Sequence, residues 1–141
     1  MSQENVDFVR SICATWERGD YSSTEWADPE IELVFSDGPA PGKSKGLAGM
    51  AAAWRGFLNA WDEFHQQAEG YLELDHERVL VSFRFSGRGK TSGLDLGQMG
   101  SKGAGLFHIR DGKVTRFAGY LDRERALADL GLSEQDAQAD S

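Results

Sequence analysis

Two alternating runs, Gly103 to Arg110 and Val114 to Leu121, flank the dipeptide Asp111-Gly112, and no other pattern constrains this chain as tightly. Alternation at period two marks strands, and an Asp-Gly pair between them marks a hairpin. Side chains of a strand alternate between faces, so a change of one residue in register turns all of them over. A two-residue loop places Arg116 on the same face as Phe107 and Ile109. A three-residue loop, Arg110-Asp111-Gly112 with the glycine in the left-handed bulge position, places Phe107, Phe117 and Leu121 on one face and His108, Arg116 and Tyr120 on the other. Burying an unpaired guanidinium is the costlier outcome, so the longer loop is expected. Gly105 and Gly119 then face inward beside the aromatics.

Upstream of this hairpin the chain reads as helices first and strands later. Val6, Val9, Cys13 and Trp16 recur at helical spacing and stop at Gly19-Asp20. A short second helix is expected over Tyr21 to Ala27, closed by Asp28-Pro29, since the residue before a proline is pushed out of the helical region. Glu30 to Phe35 alternates like a half-buried strand, and Asp37 to Gly42 is a loop by composition. The spacing of Leu47, Met50, Trp54, Leu58 and Trp61 predicts a helix with an aromatic stripe, Phe57 lying beside it. Strands follow over Phe64 to Leu74 and Arg78 to Gly87. In the latter, Val79, Val81, Phe83 and Phe85 form the buried face. Arg123 to Leu130 closes the chain as a short helix. Residues 1–132 are expected to form one α+β domain, with the acidic segment Ser133 to Ser141 a disordered tail.

The chain has 141 residues, enough to bury a real core in one domain, and a formal net charge of −8. That charge repels phosphate backbones and anionic lipid surfaces, so neither nucleic acid nor membrane is expected as a partner. The N-terminal Met1 to Asn5 has neither a basic nor an apolar stretch, and a cytoplasmic location is expected. Cys13 has no second cysteine to pair with and reads as a small buried apolar residue.

Gly89-Lys90-Thr91 matches the last letters of a phosphate-binding loop, but Arg84 stands where that pattern requires an earlier glycine. The following Ser92 to Gly97 is too rich in glycine to start the helix such a loop needs, each interior glycine costing roughly 1 kcal/mol relative to alanine. A nucleotide site is not expected.

The phrases "ERGD" (17–20), "DPEIEL" (28–33), "AWDEF" (60–64), "RDGKV" (110–114) and "YLDRERALADLGL" (120–132), in this order of elements, resemble the SnoaL-like branch of the nuclear transport factor 2-like superfamily. The resemblance implies a cone, a strongly bent antiparallel sheet wrapped around N-terminal helices, with an apolar pocket at its wide end. It also implies a homodimer formed through the outer sheet face, on which Leu80, Ser82, Arg84, His108, Arg116 and Tyr120 fall. On this fold the stretch around Lys90 becomes the glycine-rich turn between two long strands. Relatives place their functional pocket residues on the inward face of the last two strands, which here are Gly105 and Gly119, and neither transfers a proton. The pocket is expected to be lined by Trp54, Phe57, Gln66, Phe83, Phe85, Gly105, Phe107, Phe117, Gly119 and Leu121.

Asp122 is the weak catalytic candidate, with helix capping as its ordinary role. His65, His76 and His108 lack metal-like spacing, and periodicity turns His65 and His108 outward. No cofactor or metal is implied. The resulting expectation is a binder of a small hydrophobic molecule. The alternative is a lyase, isomerase or hydrolase of the polyketide cyclase or ketosteroid isomerase type working through a pocket carboxylate.

Overall fold

In the computed structural model, which describes residues 3–37, 42–59, 61–89 and 102–133, the first periodic segment forms α1 (Gln3–Glu17). Its apolar stripe, Val6, Val9, Ile12, Cys13 and Trp16, is buried. Burial pushes the Cys13 thiol pKa up to about 12, which keeps it protonated and unreactive. The short helix expected over 21–27 does not form; β1 (Ala27–Phe35) begins there instead. Tertiary pairing overrides local preference at this point. Val114 N–H donates to the Trp26 carbonyl at 2.9 Å, and the Trp26 ring meets Trp16 edge-on with centroids 5.8 Å apart. Pro29 is tolerated in the strand because it falls where the ladder is irregular, between the pairs formed by Ala27 and Glu32.

A short strand that the composition did not suggest, β2 (Gly42–Lys45), pairs antiparallel with β1. Helix α2 (Gly46–Asn59) buries Met50, Trp54 and Phe57. Trp61, expected as the last member of its stripe, opens β3 (Trp61–Asp75) instead, and is still buried against Phe57 and Phe64. Then come β4 (Arg78–Gly89), β5 (Lys102–Arg110), β6 (Lys113–Tyr120) and α3 (Arg123–Leu130). Residues 90–101 of the glycine-rich connection and residues 134–141 of the acidic tail lie outside the described residues. The six strands form one sheet in the order β2-β1-β6-β5-β4-β3. Every pair is antiparallel except β1 with β6, which is parallel. Bulges interrupt β3 between Asp62 and His65, at Glu69 and before Asp75. Each bends its strand and strengthens the local twist.

The last hairpin has the expected facing but not the expected loop. Arg110 pairs with Lys113, and Asp111 and Gly112 carry φ of 54° and 76°. This is a two-residue turn with both central residues left-handed. The extra residue sits farther along, where Thr115 bulges between the pairs Ile109–Val114 and His108–Arg116. The bulge restores the parity that a longer loop would have set, so Phe107 faces Phe117, Gly105 faces Gly119, and Arg116 points outward to Glu32 Oε1 at 2.8 Å.

Helices α1 and α2 pack on the inner face with the large aromatic core, whereas α3 lies across the outer face. Its Ala126 and Leu127 cluster with Leu80, Ala104, Leu106, Ala118 and Tyr120. The face expected to pair with a second copy is thus partly covered within the chain, and Leu80, Ser82 and Tyr120 are buried. Arg123 anchors this helix. Its guanidinium donates to Gly103 O at 3.0 Å, Phe83 O at 2.7 Å and Glu69 Oε1 at 2.9 Å, while Arg84 holds the other Glu69 oxygen at 2.7 Å.

Candidate functional site

The inward faces of β4 and β6, the end of β1 and one side of α2 converge on an aromatic cavity. It is lined by Phe35, Asp37, Trp54, Phe57, Phe64, Gln66, Phe83, Phe85, Ala104, Phe117, Gly119, Tyr120 and Leu121. The rings interlock: Phe35 stacks on Phe57 at 4.8 Å, Trp54 meets Phe35 edge-on at 5.4 Å, and Phe64 leans on Phe85 at 5.5 Å. They leave about 20 Å³ of space, room for a single water. Beyond Gln66 and Phe85 lies a polar groove of about 420 Å³, whose other walls are Glu17, His65, Gln67, Arg84 and Ser86.

Of the ten residues named from the sequence, Trp54, Phe57, Gln66, Phe83, Phe85, Phe117, Gly119 and Leu121 border this cavity. Gly105 and Phe107 do not. The Phe117 ring already fills the space over Gly105, where an added Cβ would stand 2.7 Å from its Cε1. Phe107 is fully buried one layer deeper, stacked on Trp16 with centroids 5.8 Å apart. Phe35, Phe64, Ala104 and Tyr120 join the lining unforeseen. Phe35 was legible as the last inward residue in phase with Ile31 and Leu33.

Polar groups in this wall are few. Trp54 Nε1–H is enclosed and has no acceptor among the described residues. Gln66, 8 % exposed, donates from Nε2 to the Tyr21 hydroxyl oxygen at 3.0 Å. Burial raises the Tyr21 pKa to about 12, a rise that the Gln66 hydrogen bond only partly offsets. Asp37 is the one carboxylate among the described lining residues, and both its oxygens are engaged. Oδ1 accepts Leu121 N–H at 2.6 Å and Oδ2 accepts Asp122 N–H at 3.2 Å, which ties the end of β1 to the approach to α3. No local signal marks Asp37, because these partners lie 84 and 85 positions away.

Asp122 is exposed and caps α3, its Oδ1 accepting Glu124 N–H at 3.1 Å. His65 is exposed at the polar groove, and the His76 carbonyl accepts from Asn5 Nδ2. His108 is half-buried on the outer face, with Nε2 enclosed and without a hydrogen-bond partner among the described residues; burial first, then Arg116 and Arg78, lower its pKa. Among the described residues, no three His, Cys, Asp or Glu side chains gather as a metal site, and no helix is long and apolar enough to cross a membrane.

A family profile described as SnoaL-like domain matches residues 9–117. The fold is that of several crystal structures. A nuclear transport factor 2-like protein of unknown function from Burkholderia pseudomallei matches with TM-score 0.72 and 18% identity, over 91% of this chain and 97% of that one. TerC, co-crystallised with polyporic acid, matches with TM-score 0.69 and 19% identity, over 89% and 96%. A putative polyketide cyclase from Xanthomonas campestris pv. campestris matches with TM-score 0.64 and 18% identity, again over 89% and 96%. Among curated proteins, no sequence matches this chain.

Proposed function

The chain belongs to the SnoaL-like domain family, and on that premise we propose that its aromatic cavity binds a small, flat hydrophobic molecule. The observation that carries this reading is the lining: the rings of Trp54, Phe57, Phe83, Phe85 and Phe117 converge on one space, with a buried amide among them. Shape-matched aromatic walls favour flat apolar ligands through area burial and ring–ring contact. With room for a single water, the cavity opens to a ligand only when wall side chains turn. Phe64 and Leu121, both half-buried, are the lining residues with most freedom to do so. That the similar TerC was co-crystallised with polyporic acid supports a small-molecule ligand.

For the catalytic alternative the lining supplies Asp37. Its two oxygens are already occupied by backbone amides, which suits a clasp at the mouth better than proton transfer. We further propose a homodimer through the part of the outer face that α3 leaves uncovered, around Val34, Leu72 and Leu74.

Titration with the neutral dye N-phenyl-1-naphthylamine tests the ligand site. The parent should bind the dye with enhanced fluorescence. Gly119→Leu, which adds a side chain against Phe117 and Phe35, should abolish binding while circular dichroism shows it folded. No binding by the parent, or equal binding by the folded variant, would refute the proposal.

A further inference from the structure

Two non-glycine residues among those described have positive φ, and a turn explains only one of them. Asp111, at 54°, stands in the two-residue hairpin turn that requires a left-handed backbone. Glu63, at 55°, stands inside β3. Its side chain is exposed, so no burial of its own offsets the cost of that conformation. The cause lies in its neighbours. Side chains of a regular strand alternate, so residues 61 and 64, three apart, would face opposite ways. Here both face inward: Trp61 is buried, and the Phe64 ring meets Phe57 at 5.1 Å, Trp61 at 6.0 Å and Phe85 at 5.5 Å. The bulge makes this possible. Asp62 pairs with Arg88 and His65 with Ser86, so Glu63 and Phe64 stand opposite Gly87 alone, whose φ of 143° favours glycine. The strained backbone of Glu63 turns Phe64 into the cavity wall.

We infer that Phe64 is the gate of the cavity and that the strain at Glu63 biases it toward opening: when Glu63 relaxes to negative φ, Phe64 turns out of the wall and a ligand enters beside β3. This rests on the proposed function and singles out one of the two half-buried lining residues. The other, Leu121, is tied down, since its N–H and that of Asp122 both donate to Asp37. Strand β3, by contrast, is an edge strand, held by a ladder on one side only, and within the bulge that ladder is interrupted. On its free side the strand is tethered farther along, at Ala68, whose N–H donates to Glu17 Oε2 at 2.9 Å. Backbone bonded this sparsely opens locally at low cost. With about 20 Å³ of space inside, a ligand larger than water cannot enter before such an opening.

Stopped-flow mixing with N-phenyl-1-naphthylamine tests this. Glycine adopts positive φ without penalty, so Glu63→Gly stabilises the closed wall. Compared with Glu63→Ala, which also lacks the carboxylate but keeps the strain, it should associate with the dye about fivefold more slowly, the scale of the left-handed penalty. Phe64→Ala removes the gate and should associate about tenfold or more faster than the parent, as expected where the open state is a minor one populated at about 10 % or less. If Phe64→Ala fails to fold, the two Glu63 variants decide alone. Equal rates for the two folded Glu63 variants, or a folded Phe64→Ala no faster than the parent, overturns the inference and leaves the proposed function standing. No binding of the dye by the parent overturns both.

Discussion

Replacing Gly103 by alanine adds one methyl group at a place where the surrounding atoms cannot all retreat. An ideal Cβ there would lie 2.5 Å from the backbone oxygen of Tyr120, and 2.0 and 2.7 Å from Cε2 and Cζ of Phe85. The Phe85 ring is flanked by Phe83 at 6.0 Å and Phe64 at 5.5 Å; the cavity offers it only about 20 Å³, so it can yield only toward the polar groove that it also borders. The Tyr120 oxygen belongs to the β6 backbone, and shifting it strains the ladder that pairs Ala104 with Tyr120. Overpacking of this kind costs about 1–3 kcal/mol, and backbone involvement puts Gly103→Ala at the upper end. With an unfolding entropy of about 0.3 kcal/mol/K for a chain of 141 residues, about 3 kcal/mol lowers Tm by about 10 °C. The same substitution at Gly56, inside α2 with no atom within 4 Å of the added Cβ, should raise stability by about 1 kcal/mol and Tm by about 3 °C. Thermal melts followed by far-ultraviolet circular dichroism compare the two. A Gly103→Ala protein melting within about 2 °C of the parent would refute the account of packing around Phe85.

Arg123→Ala should cost about 3 kcal/mol in urea unfolding, because it leaves two strand carbonyls and the Glu69 carboxylate without their buried donor. It should also flatten the acid limb of the stability profile. Burial pushes the Glu69 pKa up, but hydrogen bonds from Arg123 and Arg84 and their charges bring it below its ordinary value. The stability linked to it is therefore present above about pH 4.3 and lost as pH falls through the lower folded pKa; a variant with the parent's acid limb would contradict this. His108 titrates in a separate window. Its folded pKa is lowered, so below about pH 6.5 the unfolded chain takes up a proton that the folded chain refuses, and stability declines. His108→Gln should remove that decline between neutrality and the onset of carboxylate titration, and an unchanged profile would show that burial of this imidazole has no consequence for stability.

Local pattern determined what depends on parity and helical phase. The inward faces of α1, α2, β4 and the last hairpin follow from side chains recurring at fixed spacing, and they place the cavity wall from Trp54 to Leu121. Even the hairpin loop, read as three residues where two are observed, gave the correct facing, because the bulge at Thr115 supplies the compensating residue. Tertiary structure decided what depends on contacts between distant segments. Residues 21–26 stay non-helical, with a turn at Glu25-Trp26, because Trp26 meets β6 and the Trp16 ring, an interaction worth more than a short helix with no partner of its own. The outer positions Leu80 and Tyr120 are buried because α3 crosses that face, pinned by Arg123 to carbonyls 20 and 40 positions upstream. Gly105 is inward yet outside the cavity, since the Phe117 ring settles over it once the two strands pair. Asp37 becomes part of the mouth only when the end of β1 comes beside the end of β6, a parallel pairing that alternation within either strand cannot encode. Periodicity specifies which way a side chain points from its own backbone, whereas the atoms it meets are set by which remote segment packs there.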